Sequence, residues 1–70
     1  MTVKEAANFI NKWFGFPSIY YPATMQLKVF INVNGKAGNF VYDEEELSKY
    51  GPEGLANRLD DDLFLFGGRT

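Results

Sequence analysis

The apolar positions of residues 3–14 follow the spacing of one helical face. The apolar side chains that recur every three or four positions are Val3, Ala6, Ala7, Ile10, Trp13 and Phe14. Polar residues fill the opposite side. The pattern predicts an amphipathic helix over residues 3–14 that buries Trp13 and Phe14 and leaves Phe9 off the stripe.

Both ends of this helix carry sequence signals. Thr2 and Glu5 have capping-box spacing, in which each side chain accepts a hydrogen bond from the other residue's backbone N–H. Gly15 suits the left-handed position after a helix, and Pro17 cannot continue one.

Residues 25–42 alternate between apolar and polar side chains, as expected for strands with one buried face. Asn34-Gly35 favours a two-residue type I′ turn, so we predict a hairpin of strands 25–33 and 36–42. A longer, four-residue loop closing on Gly38 is the alternative. The expected opposed pairs are Val33 and Lys36, Ile31 and Gly38, Val29 and Phe40, Leu27 and Tyr42, Phe30 and Asn39, and Lys28 and Val41.

A second helical region is expected over residues 44–62. Asp43 and Glu46 have capping-box spacing. Gly51 can end a first short helix, and Pro52 can occupy the first position of another.

The "LFLF" segment, residues 63–66, is apolar on every side and fits either a last helical turn or a short strand. We expect a third strand there, because a two-stranded sheet alone is rarely stable. The sequence thus predicts one α+β domain over residues 1–70, with helices on an antiparallel sheet in the order α-β-β-α(-β).

Composition limits how this domain can be stabilised. The 70 residues include no cysteine and no histidine, which excludes disulfides and the usual zinc ligands. A chain this short is marginal as a monomer, so dense packing or association with another chain must support it. A soluble, cytoplasmic protein is expected.

Charge is distributed unevenly along the chain. Residues 1–42 carry four lysines and one glutamate, whereas residues 43–70 carry three basic residues and eight acids. The two acidic clusters are Glu44, Glu45 and Glu46, and Asp60, Asp61 and Asp62. They fit either solvated helix ends or a surface directed at a basic partner.

The side chains give little support for catalysis. Without histidine or cysteine, the commonest general base and the thiolate nucleophile are absent, so we expect no enzyme activity and no cofactor. Asp60, Asp61 and Asp62 fan around a helix and cannot converge on one metal ion, so no metal site is expected.

The aromatic run at residues 12–22 fits either a core or an interface. Adjacent residues of an extended segment point to opposite sides, so either Tyr20 or Tyr21 should be exposed. The predicted register also places Phe30 and Val41 as diagonal neighbours on the outer face of the hairpin. These four residues are candidate partner-binding anchors, together with the two acidic clusters.

Three functions remain as hypotheses. The favoured one is a small acidic protein-binding module that inhibits a nucleic-acid-handling protein by occupying its basic groove. In size and charge the chain is similar to phage-encoded inhibitors of host nucleic-acid machinery, including anti-CRISPR proteins. The alternatives are a homodimer that buries Phe30, Val41 and residues 63–66, and a weak single-stranded nucleic-acid binder that uses Lys28, Phe30 and Lys36.

Overall fold

Three helices and one three-stranded antiparallel sheet make up the fold, in the order α-β-β-β-α-α. The computed structural model describes residues 1–67. The predicted α+β class is confirmed. The elements are α1 (Val3–Phe14), β1 (Ser18–Tyr21), β2 (Gln26–Val33), β3 (Lys36–Asp43), α2 (Glu44–Ser48) and α3 (Pro52–Gly67).

Helix α1 has the predicted caps. The N–H of Glu5 donates to Thr2 Oγ1 over 3.1 Å, and the N–H of Thr2 donates to Glu5 Oε1 over 2.9 Å. Hydrogen bonding to Thr2 lowers the pKa of the Glu5 carboxyl. Gly15 ends the helix at φ 76°, in the left-handed region.

The predicted burial of Trp13 is wrong, since this side chain is 67% exposed. The buried stripe of α1 runs through Ala6 and Ile10 and continues to the half-buried Phe14. Trp13 falls on the flank of that stripe, where its ring lies 6.3 Å from the ring of Phe9. Phe9, which the apolar stripe left unexplained, is half-buried against the core and bridges Trp13 and Phe14.

The hairpin formed by β2 and β3 has the register expected from its sequence. Asn34 and Gly35 both have positive φ, at 53° and 83°, as a type I′ turn requires. Every predicted pair is observed, from Val33 opposite Lys36 to Leu27 opposite Tyr42. The two-residue turn is therefore the one that forms.

The third strand was predicted in the wrong place. Residues 63–66 form the end of α3, and the third strand is β1, which pairs with β2 from Ser18 opposite Val29 to Tyr21 opposite Gln26. The helical spacing that buries Leu59 continues to the half-buried Leu63 and Phe66, so the apolar run extends the stripe of α3.

The start of α2 also differs from its prediction. Asp43 is the N-cap residue, but its side chain makes no capping hydrogen bond. Its carboxylate accepts a hydrogen bond from Gln26 Nε2 at 3.0 Å instead, and Glu46 binds other partners. Pro52 is the first residue of α3, as predicted.

The helices cover one face of the sheet and leave the other bare. The hydrophobic core lies between them, and its buried residues are Ala6, Ile10, Leu27, Val29, Ile31, Tyr42, Leu47, Leu55 and Leu59. Within residues 1–67, no helix is long and apolar enough to cross a membrane.

Candidate interaction surfaces

The open face of the sheet is the side that no helix covers. Alternation along the strands directs five large side chains to it, namely Ile19, Tyr21, Lys28, Phe30 and Val41. Ile19, Tyr21 and Val41 are 51%, 40% and 43% exposed. Water thus contacts apolar side chains of both outer strands, β1 and β3.

Lys28 occupies the middle of this open face. The strand register sets it directly between Ile19 of β1 and Val41 of β3. Its ammonium lies 5.3 Å from the centre of the Tyr21 ring, within the range of a cation–π contact. The open face therefore combines an apolar rim with one central cation.

Phe30 is less available than the sequence indicated. It is half-buried and lines a surface pocket of about 300 Å³ with Phe16 and Pro17. Pairing of β1 with β2 brings this segment alongside, since the N–H of Phe30 donates to the Pro17 carbonyl over 2.9 Å.

The two tyrosines of β1 point to opposite sides, as predicted. Tyr21 is the exposed one, and Tyr20 points toward the helices, where its hydroxyl donates a hydrogen bond to the Glu44 carboxylate. That hydrogen bond raises the pKa of Tyr20. Tyr20 and Glu44 therefore engage each other within the fold.

Two further predicted acids, Asp62 and Glu46, belong to a half-buried polar network between elements of the fold. Asp62 accepts hydrogen bonds from the Tyr42 hydroxyl at 2.6 Å and from Arg58 Nε at 3.1 Å. Glu46 pairs with the same Arg58 and accepts a hydrogen bond from the Tyr50 hydroxyl at 3.1 Å. Asp62 and Glu46 thus join α3 to β3 and α2.

Burial, with the hydrogen bond to Asp62 as second cause, raises the pKa of Tyr42. Hydrogen bonding to the Tyr50 hydroxyl, together with the two carboxylates, raises the pKa of Arg58. The network is therefore built around a neutral phenol and a guanidinium that stays charged.

The remaining predicted acids, Glu45, Asp60 and Asp61, are exposed. Asp60 and Asp61 accept no hydrogen bond from the residues that the structure describes. Because α3 packs on the covered side of the sheet, its exposed side points away from the open face. The predicted partner-binding residues consequently do not form one continuous surface.

A pocket at the corner between β2 and α2 joins acidic and apolar groups. It measures about 290 Å³, and its lining residues are Thr24, Met25, Asp43, Glu44 and Glu45. Met25 is 56% exposed and has a positive φ of 55°. We call this pocket the acidic corner.

Sequence analysis missed Met25 and Ile19 as surface residues. Met25 begins the predicted strand 25–33, whose alternation puts it on the same face as Leu27, and no strand is predicted for the residues around Ile19. Reading Ser18–Tyr21 as a strand would have found Ile19, since it alternates with Tyr20.

The structure also separates residues of the nucleic-acid hypothesis. Lys36 projects to the covered side, where its ammonium lies 4.9 Å from the centre of the Phe66 ring. It cannot join Lys28 on the open face.

Within the described residues, no group of three or more acidic side chains could hold a metal ion. Comparisons with protein-family models, curated proteins and solved structures found no match to this chain. The fold defines a small α+β domain.

Proposed function

We propose that this chain is a non-enzymatic protein-binding module that inhibits a nucleic-acid-handling protein by steric occlusion in the cytoplasm. The observation that carries the proposal is the acidic corner, where the exposed Met25 lines the same pocket as Asp43, Glu44 and Glu45. The similarity in size and charge to phage-encoded and anti-CRISPR inhibitors supports the same class.

The chemistry of the acidic corner suits a basic side chain of the partner. Arginine and lysine have apolar stems and charged ends, so the stem can lie against Met25 while the end pairs with the carboxylates. A basic groove that normally holds nucleic-acid phosphates supplies many such side chains.

The rest of the proposed interface extends from the acidic corner onto the open face. Asp43 lies on the outer side of β3, in the same row of side chains as Val41, and Gln26 connects it to β2. Tyr21 and Val41 can bury apolar area against the partner, and Glu45 adds electrostatic attraction beside them. Asp60 and Asp61 lie on the exposed side of α3, away from this interface, and add only to the overall negative field of the chain.

The test begins with capture of the partner from the native host cell by the tagged chain, followed by mass spectrometry. The captured protein is then purified and its complex with nucleic acid is titrated with the chain in a mobility-shift assay. We expect the wild-type chain to release the nucleic acid from that protein. The proposal would be overturned if the captured protein still bound its nucleic acid fully at a saturating concentration of the chain.

Matched charge reversals localise the contact. Glu45→Lys changes the acidic corner, whereas Glu53→Lys makes the same charge change at an exposed position in the first turn of α3. We expect Glu45→Lys alone to weaken inhibition, with a loss of salt dependence. Equal inhibition by both variants would reject the acidic corner, and a shift of nucleic acid by the chain alone would favour direct nucleic-acid binding.

A further inference from the structure

We propose that the free edge of β3 pairs antiparallel with the same edge of a second copy of this chain, which joins two three-stranded sheets into one of six strands. This inference concerns the backbone edge of β3, whereas the proposed inhibitor contact uses side chains. Val41 and Asp43 belong to both, but the inference does not depend on the inhibitor contact.

Two backbone hydrogen bonds fix which backbone groups of β3 face outward. The N–H of Glu44 donates to the Met25 carbonyl, and the N–H of Phe30 donates to the Pro17 carbonyl. The backbone N–H and C=O groups of the odd-numbered residues of β2 therefore point to β3, and those of the even-numbered residues point to β1. Through the observed register, the residues of β3 whose N–H and C=O groups point away from the sheet are Ala37, Asn39, Val41 and Asp43.

These outward groups are open to pairing. The side chains of all four residues are exposed, and outside the regular helices and strands no hydrogen bond of residues 1–67 involves their backbone. The C=O of Asp43 is an exception within a helix, because Asp43 is the N-cap of α2 and its C=O accepts the first hydrogen bond of that helix. Unpaired N–H and C=O groups in a row form a template for another strand.

The two edges of the sheet are protected very differently. Strand β1 has four residues and is flanked by Pro17 and Pro22, so little of its edge can pair. Strand β3 has eight residues, contains no proline, and carries small side chains at Ala37 and Gly38. The usual devices that block edge pairing are missing from its middle.

The charges along β3 favour a second copy as the occupant of this edge. One end carries Lys36, and the other end leads through Asp43 into Glu44. Antiparallel pairing brings the basic end of each copy beside the acidic end of the other. The register that pairs all four outward residues sets Ala37 opposite Asp43 of the second copy, and Asn39 opposite its Val41.

This register gives a test by paired substitutions at Ala37, which is exposed. Ala37→Lys places a cation opposite each Asp43, and Ala37→Glu places a second carboxylate there. Sedimentation equilibrium over a concentration series measures the dimer dissociation constant for the wild type and both variants. We expect a wild-type dimer, tighter for Ala37→Lys and weaker for Ala37→Glu, with about a tenfold difference between the two variants.

Cysteine substitutions check the register independently, because the chain has no cysteine of its own. An equimolar mixture of Asn39→Cys and Val41→Cys should form the mixed disulfide in preference to either homodimer, while Asn8→Cys on α1 serves as the unpaired control. A wild-type chain that stays monomeric at high micromolar concentration overturns the proposal. Equal dissociation constants for the two Ala37 variants, with no preference for the mixed disulfide, also overturn it.

Discussion

At the scale of single residues, Tyr42 shows how a polar group can belong to the core. Its side chain is 1% exposed, yet its hydroxyl has a partner in the Asp62 carboxylate. The guanidinium of Arg58 lies 5.4 Å from the centre of its ring. The buried O–H of Tyr42 therefore has a hydrogen-bond acceptor as long as the phenol stays protonated.

Alkaline pH should therefore weaken the fold through Tyr42. The pKa of its phenol is raised in the folded chain, whereas the pKa of an unfolded tyrosine is about 10. The stability that this proton provides is fully present below about pH 10 and is lost as the pH rises toward the folded pKa. Urea unfolding across this range should show a steep fall for the wild type.

Tyr42→Phe is the matching variant for this pH experiment. It should cost about 1 kcal/mol at neutral pH through the lost hydrogen bond, and its stability should fall less steeply in alkali. The remaining slope is assigned to Tyr20, whose pKa is also raised. An unchanged slope in Tyr42→Phe would contradict this assignment.

The three consecutive aspartates of α3 should respond differently to charge reversal. Asp62→Lys removes the acceptor of Tyr42 and places a cation beside Arg58, so we expect a loss of about 2 kcal/mol. Asp61→Lys changes the same charge at an exposed position and should stay within about 0.5 kcal/mol. Chemical denaturation compares the unfolding free energies of the two variants. Equal losses would contradict the stabilising role of the contacts that Asp62 makes with Tyr42 and Arg58.

At the scale of the elements, α3 packs closely on β3 through one glycine. A Cβ added at Gly38 would lie 2.5 Å from Cε1 of Phe66, so the ring would have to move. The same ring packs edge-to-face on Phe40 at 6.0 Å. Gly38→Ala should cost about 1–3 kcal/mol and speed hydrogen exchange in the last turn of α3.

Gly51→Ala is the control for Gly38→Ala. A Cβ added at Gly51 meets no atom within 4 Å, so the same chemical change should leave stability nearly unaltered. If the two variants unfold at the same denaturant concentration, the contact between Gly38 and Phe66 does not hold α3 against the sheet.

Local signals predicted the elements whose structure is decided by neighbouring residues. The capping box of Thr2 and Glu5 predicted the start of α1, and the Asn34-Gly35 turn predicted the register of the whole hairpin. The third strand was missed because four residues between two prolines carry too little pattern, and it is stabilised by pairing with β2.

The candidate surfaces were less predictable than the fold. Sequence clustering suggested two acidic patches, but within the fold Glu44 accepts a hydrogen bond from Tyr20, and Glu46 and Asp62 pair with Arg58. Exposure of Tyr21 and Val41 followed from strand alternation, which a sequence does reveal. A single sequence does not show which side chains from distant elements will form hydrogen bonds or ion pairs with each other.

Taken as a whole, the fold is small, and its helices pack on only one face of the sheet. A chain of 70 residues buries only ~60% of its unfolded surface. The open face and the β3 edge are thus places where a second chain could add the support that the core lacks.

Thermal unfolding should consequently depend on protein concentration. When folding and edge pairing are coupled, mass action raises the midpoint as the concentration increases. Calorimetry at two well-separated concentrations should show this rise for the wild type and a smaller one for Ala37→Glu. Because Ala37 is exposed and outside the core, both proteins should converge at high dilution. A wild-type midpoint that does not move with concentration would mean that the helices and one sheet face stabilise the chain by themselves.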